Sequence, residues 1–308
     1  MKKHVAKLLS LVLSLSLLLA LAACGNGNGT TSPTPDASPA ASPAASPAES
    51  PAGAEPLAET EIQVFIAASL ENAFLDIIEL YNQTQPNVKV TYNADSSGTL
   101  LNQIQEGFAC DIFFSAATKQ MDALQEAGLD LENTRVDLLQ NKVALITWKG
   151  SGTSVTTLSE IGSASSIALA DGTVPAGQYT RAALQNLGLL DDSKAAADFT
   201  TEEVSAALGG VEINETSNVS KTLAAVAEGS NEVGTVYYSD AYSRIDEVDV
   251  IELIDTELTG PIIYPMTRVS NQEADEAETA AADDFYAFLQ TDAVMDIFES
   301  YLFVSNME

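Results

Sequence analysis

Histidine is almost absent from this chain: the only one, His4, lies within the first few of 308 residues. It sits in a basic start (Lys2, Lys3, Lys7) that leads into an apolar run from Leu8 to Leu21. That is the pattern of an export signal, and the run is short for a membrane span, which needs about 20 residues. The exported chain therefore has no imidazole, which excludes Ser-His-Asp and Cys-His catalysis and any histidine-based metal site. Basic residues are the second shortage, 13 against 44 acidic for a net charge of −31. Without the three signal lysines the balance is 10 against 44, a net −34. Such a surface repels nucleic acid and anionic lipid and argues against both as partners.

Cysteine is the third shortage, with only Cys24 and Cys110. Small residues precede the first of them in Leu21-Ala22-Ala23-Cys24. This stretch resembles a bacterial lipoprotein signal, which implies removal of residues 1–23 and diacylation of the Cys24 thiol. The protein would then lie outside the cytoplasm, held to the cell membrane by lipid alone. With Cys24 acylated, Cys110 has no disulfide partner within the domain. Its setting, Phe108-Ala109-Cys110-Asp111-Ile112-Phe113, is that of a small buried residue. Residues 24–58 carry no periodic apolar pattern and repeat Ser-Pro-Ala from Ser38, Ser42, Ser46 and Ser50. They cannot bury enough apolar surface to offset their chain entropy and read as an extended, disordered tether.

The remaining 250 or so residues alternate strand and helix patterns. Strands are predicted over Glu61–Ala67, Asn87–Tyr92, Asp111–Ser115, Lys142–Trp148, Ser166–Ala170, Val233–Tyr238, Val248–Leu253 and Ile262–Val269. Amphipathic helices are predicted over Leu70–Asn82, Gly98–Glu106, Thr118–Ala127, Ala176–Leu187, Val219–Glu228, Glu273–Gln290 and Ala293–Tyr301. The alternation indicates an α/β protein with mostly parallel sheets flanked by helices, in two lobes.

Four segments share one design, in which a strand ends, small residues turn, and a helix begins. They are Ala67-Ala68-Ser69, Asp95-Ser96-Ser97-Gly98-Thr99, Val174-Pro175-Ala176-Gly177 and Ser217-Asn218-Val219. In open α/β sheets ligands bind beyond the carboxyl ends of the strands. Helix N-termini there present unpaired N–H groups and about half a positive charge each. With hydroxyls from Ser69, Ser97 and Tyr237 added, such ends would hold a small dianion without Lys or Arg. Ordinary helix capping accounts for any one of these segments alone. Asp111 is expected in a turn or hinge and Lys221 on the surface.

As an ordered series these stretches, with Val64-Phe65-Ile66-Ala67-Ala68-Ser69-Leu70, Cys110-Asp111-Ile112-Phe113-Phe114-Ser115-Ala116 and Gly234-Thr235-Val236-Tyr237, resemble the molybdate-binding proteins of molybdate ABC importers. The resemblance implies a two-lobed periplasmic-binding-protein fold of type II with a two-strand hinge. Its lobes would be 59–142 with 263–308, and 143–262. It implies that a molybdate or tungstate ion is enclosed between the lobes by the Ser69 and Ser97 hydroxyls, the Ala176 and Val219 backbone, and the Tyr237 hydroxyl. There would be no cofactor beyond that ligand and no catalysis. A monomeric receptor would hand the ion to a membrane permease and its ATPase. Three rivals remain: a receptor for another tetrahedral oxyanion such as sulfate, an exported enzyme with Ser69 or Ser97 as nucleophile, and a tethered adhesin or surface module.

Overall fold

The computed structural model describes residues 55–306. The expected signal peptide, the Cys24 anchor and most of the 24–58 tether lie outside the described residues.

Eleven strands and ten α-helices alternate along the described chain. The first stretch holds β1 (Thr60–Ala67), α1 (Glu71–Asn82), β2 (Val88–Asp95), α2 (Ser97–Gln105), β3 (Ile112–Phe114), α3 (Thr118–Glu126) and β4 (Val136–Asn141). After a single residue, Lys142, come β5 (Val143–Trp148), β6 (Ser166–Ala170), α4 (Pro175–Asn186), α5 (Thr201–Ala207), β7 (Glu212–Thr216), α6 (Val219–Ala227), β8 (Val233–Tyr237), α7 (Tyr238–Ser243), β9 (Val248–Leu253) and α8 (Thr256–Thr259). The chain closes with β10 (Ile262–Arg268), α9 (Glu276–Phe288), α10 (Asp292–Ser300) and β11 (Val304–Ser305).

These strands form two sheets, ordered β11-β4-β10-β3-β1-β2 and β7-β6-β8-β5-β9. Each sheet with its helices is a lobe. The chain passes between them twice, through Lys142 and again between α8 and β10, where Gly260 takes a positive φ of 74°. The two-lobed α/β architecture agrees with the sequence reading, but the sheets are mixed rather than mostly parallel. In the first, β2, β1 and β3 are parallel, while β10 runs antiparallel to β3 and β4. In the second, β7, β6 and β8 are parallel, while β5 runs antiparallel to β8 and β9. The cause is the pair of crossings. β5 and β10 each arrive directly from the other lobe, so they start at the cleft end, where the parallel strands finish.

Burial follows the strand and helix periods. In β1, Ile62, Val64 and Ile66 are fully buried, and α1 turns Ala73, Phe74, Ile77 and Tyr81 inward. α9 covers the same side of the sheet, with Phe285 set edge-on to Phe74 at 5.8 Å between ring centres and to Tyr81 at 4.7 Å. Cys110 is buried as expected, and its thiol donates to the Ile112 carbonyl at 3.2 Å. Asp111 stands at the bend that leads into β3, as expected of a turn residue. It is fully buried in the first lobe, where it accepts the Gln63 N–H (2.7 Å) and Asn271 Nδ2 (3.0 Å). Among the described residues no helix is long and apolar enough to cross a membrane.

Candidate oxyanion-binding site

The three parallel strands of each lobe point their carboxyl ends at one cavity. From the first lobe, β1 delivers Ala67, Ala68 and Ser69, β2 delivers Asp95, Ser96 and Ser97, and Ala116 follows β3. From the second, the turn after β6 delivers Val174, Pro175 and Ala176, the turn after β7 delivers Val219, and β8 ends in Tyr237. All five residues singled out in the sequence as ligand contacts therefore line a single chamber. The chamber is narrow, with a free volume of about 10 Å³, the scale of a single water molecule.

Each wall has a local reason. At α2, the Ser96 hydroxyl caps by accepting the Thr99 N–H (3.2 Å), so Ser97 and Gly98 open the helix toward the chamber. At α6, Asn218 Oδ1 accepts the Lys221 N–H (3.0 Å), leaving Val219 at the first helical position. At α4, Pro175 occupies the first turn, where its missing N–H costs nothing. Gly177 is obligatory there, because a Cβ would lie 2.3 Å from the Ala170 carbonyl oxygen. Three α-helix N-termini, with the short 3₁₀ turn Ala68–Leu70 that opens α1, thus converge on one point. Their first N–H groups have no partner within the helix. The α7 turn also begins at Tyr237, whose own N–H is taken by Asp240 Oδ2 at 3.2 Å.

The hydroxyls complete this donor set. Ser97 Oγ accepts the Ala116 N–H at 2.9 Å, so its own proton is free to donate elsewhere. Tyr237 is 1% exposed, and its hydroxyl has no hydrogen-bond partner among the described residues. Burial pushes that phenol well above its usual range, so it keeps its proton. No Lys or Arg lines the chamber. Lys221 instead donates to Ser217 Oγ (2.6 Å) on the surface. One carboxylate is present, and Asp95 Oδ1 accepts both the Ser96 N–H (2.7 Å) and, across the cleft, Asn218 Nδ2 (3.0 Å).

Sequence reasoning missed two supports. Arg181 in α4 is fully buried and donates to the Ala170 (2.7 Å), Gly177 (3.1 Å) and Phe199 (3.0 Å) carbonyls, clamping the Pro-Ala-Gly turn from behind. Tyr264 in β10 is also fully buried, and its hydroxyl lies 3.0 Å from Ser69 Oγ. Neither position carries a motif. The one available signal is an arginine on the apolar face of a helix, a place that needs partners.

A family model of bacterial extracellular solute-binding proteins matches residues 62–304. The chain belongs to that family. Its relatives include the molybdate-binding protein ModA of Escherichia coli, 32% identical over 80% of this chain and 89% of that protein. YvgL of Bacillus subtilis, assigned as an ABC transporter substrate-binding lipoprotein, is 29% identical over 80% of this chain and 86% of its own length. Among solved structures, the substrate-binding domain of an assigned molybdenum ABC transporter from Clostridium difficile is 31% identical and superimposes with a TM-score of 0.57. That match covers 80% of this chain and 99% of the domain. Membership makes this an extracellular solute-binding protein of the transport kind.

Proposed function

We propose that this protein captures molybdate, or its near-twin tungstate, and delivers it to the permease of an ABC importer driven by a cytoplasmic ATPase. The observation that carries the reading is the Tyr237 hydroxyl, a buried donor without an acceptor in a chamber ringed by helix N-termini. A buried unpaired donor costs about 1–3 kcal/mol, and an anion's oxygen removes that cost. Ser69, Ser97, Ala176, Val219 and Tyr237 are the ligand contacts in this reading, which all come from neutral donors. The similarity to ModA and to the C. difficile domain supports molybdate over other solutes. The Leu21-Ala22-Ala23-Cys24 stretch and the likeness to YvgL support a lipid anchor at Cys24, outside the cytoplasm. The receptor acts as a monomer and carries out no reaction. Neither serine hydroxyl is paired with a base: Ser97 Oγ meets a backbone N–H and Ser69 Oγ meets a phenol.

Calorimetric titration of the purified protein tests the assignment. Molybdate and tungstate have the same charge and almost the same size, so they are expected to bind with similar affinity. Sulfate has shorter bonds and leaves some fixed donors unpaired, so it is expected to bind at least about thirtyfold more weakly. Sulfate competing with molybdate on equal terms would replace this reading with a general oxyanion receptor.

A further inference from the structure

At the rim of the cleft the two lobes approach backbone to backbone. Gly98, in the first turn of α2, faces the Thr173 carbonyl in the turn before α4, and a Cβ on Gly98 would lie 2.8 Å from that oxygen. The pair adjoins the chamber without lining it: Gly98 follows Ser97 and Thr173 precedes Val174, and those two neighbours are in the wall. Two other bonds across the cleft differ in kind. Asn218 Nδ2 to Asp95 Oδ1 (3.0 Å) and Ser220 Oγ to the Ala68 carbonyl (3.5 Å) run through side chains, which can turn to follow a wider gap.

The backbone of Gly98 gives no reason for a glycine. It lies within a helix and has no positive φ, and glycine in a helix is less favourable than alanine. Space gives the reason, because the oxygen opposite is held in place from its own side. Thr173 N–H and Oγ1 both donate to Asp171 Oδ1, at 2.8 and 2.5 Å, and the Val174 N–H donates to the Asp171 carbonyl at 3.0 Å. Gln178 Nε2 then donates to the Thr173 carbonyl itself at 3.2 Å. On the first-lobe side the Ser96 cap fixes the opening turn of α2.

We propose that Gly98 and the Thr173 carbonyl form the stop that sets how far the lobes close, with Gly98 and Gln178 as its positioning residues. This rests on the oxyanion reading above. With no side chain at position 98, the lobes come near enough for donors from both to meet one anion. A methyl group there holds them apart by a few tenths of an ångström, right beside Ser97 and Val174. The donors sit on rigid helix ends and cannot follow, so those of one lobe fall short of the anion.

The test titrates the full chain and its variants with molybdate and records thermal melting without ligand. Gly98→Ala is expected to weaken molybdate by about tenfold or more, through loss of at least one bond to a charged acceptor. Its ligand-free melting temperature is expected to match or exceed the parent's, since the open cleft relieves the clash and alanine favours the helix. Gln178→Ala alone is expected to bind within about twofold of the parent. In that background Gly98→Ala is expected to lose less affinity, because the carbonyl has been released to move aside. If the parent binds molybdate and Gly98→Ala binds it equally well, the stop is refuted while the oxyanion reading stands. A lower melting temperature for Gly98→Ala would show that the fold itself needs the glycine, and an equal loss in both backgrounds would place the effect inside α2; either result overturns the proposal. If the parent takes up neither molybdate nor tungstate, both readings fall.

Discussion

Tyr237 carries an unpaired hydroxyl in the chamber wall, and this makes one substitution act in opposite directions on two measurements. Tyr237→Phe removes a buried donor that lacks an acceptor, so the ligand-free protein is expected to melt at the same temperature or slightly higher. The same change deletes a hydrogen bond to a charged acceptor, so molybdate affinity is expected to fall by roughly ten- to a hundredfold. A structural tyrosine would show the reverse, a lower melting temperature with affinity intact. Melting curves and titrations on one preparation separate the two. At this scale much of the candidate site was legible, because Ser69, Ser97, Ala176, Val219 and Tyr237 sit beside small-residue turns that mark strand-to-helix junctions. Tyr264 was not, since it lies in ordinary strand sequence and acquires its meaning only from a neighbour far along the chain.

Among the elements, α7 shows how a local start couples to pH. Asp240 in its first turn is buried and accepts the Tyr237 N–H, and burial raises its carboxyl to about 7 from its ordinary 3.8. Between those values the folded chain binds the extra proton and the unfolded chain does not. Stability from this group is therefore full below about pH 4 and lost as pH rises to about 7. The gap bounds the loss at about 4 kcal/mol. Asp240→Asn keeps an oxygen for the Tyr237 N–H and cannot ionise. It is expected to melt higher than the parent near pH 8 and to match it near pH 4. An equal difference at both values would show that Asp240 is not the titrating group. α7 was not expected from the sequence, and neither were β4, α5 and β7. Six residues of α7 give no measurable period, and β7 (Glu-Ile-Asn-Glu-Thr) is an edge strand with only Thr216 buried. The antiparallel course of β5 and β10 was also hidden, since strand direction depends on where the chain enters a lobe.

Taken whole, the molecule must draw an anion to a chain of net charge −31, so attraction has to come from short-range donors held by a closed cleft. The closure has few direct ties. Asn218 Nδ2 donates to Asp95 Oδ1 at 3.0 Å, Ser220 Oγ reaches the Ala68 carbonyl at 3.5 Å, and a Cβ on Gly98 would lie 2.8 Å from the Thr173 carbonyl oxygen of the other lobe. The first is the strongest, because its acceptor is charged. Asn218→Asp keeps the oxygen that caps α6 but loses the donor, and sets two carboxylates against each other across the cleft. Without ligand this variant is expected to show a larger radius of gyration in X-ray scattering, and molybdate affinity about tenfold lower or more. Added salt should recover part of both by screening the two charges. The double variant Asp95→Asn with Asn218→Asp restores one donor and one carboxylate with their places exchanged, and the amide introduced on the first-lobe side still offers an oxygen to the Ser96 N–H. It is expected to return both measurements most of the way to the parent. If Asn218→Asp scatters and binds as the parent does, this pair does not hold the lobes together.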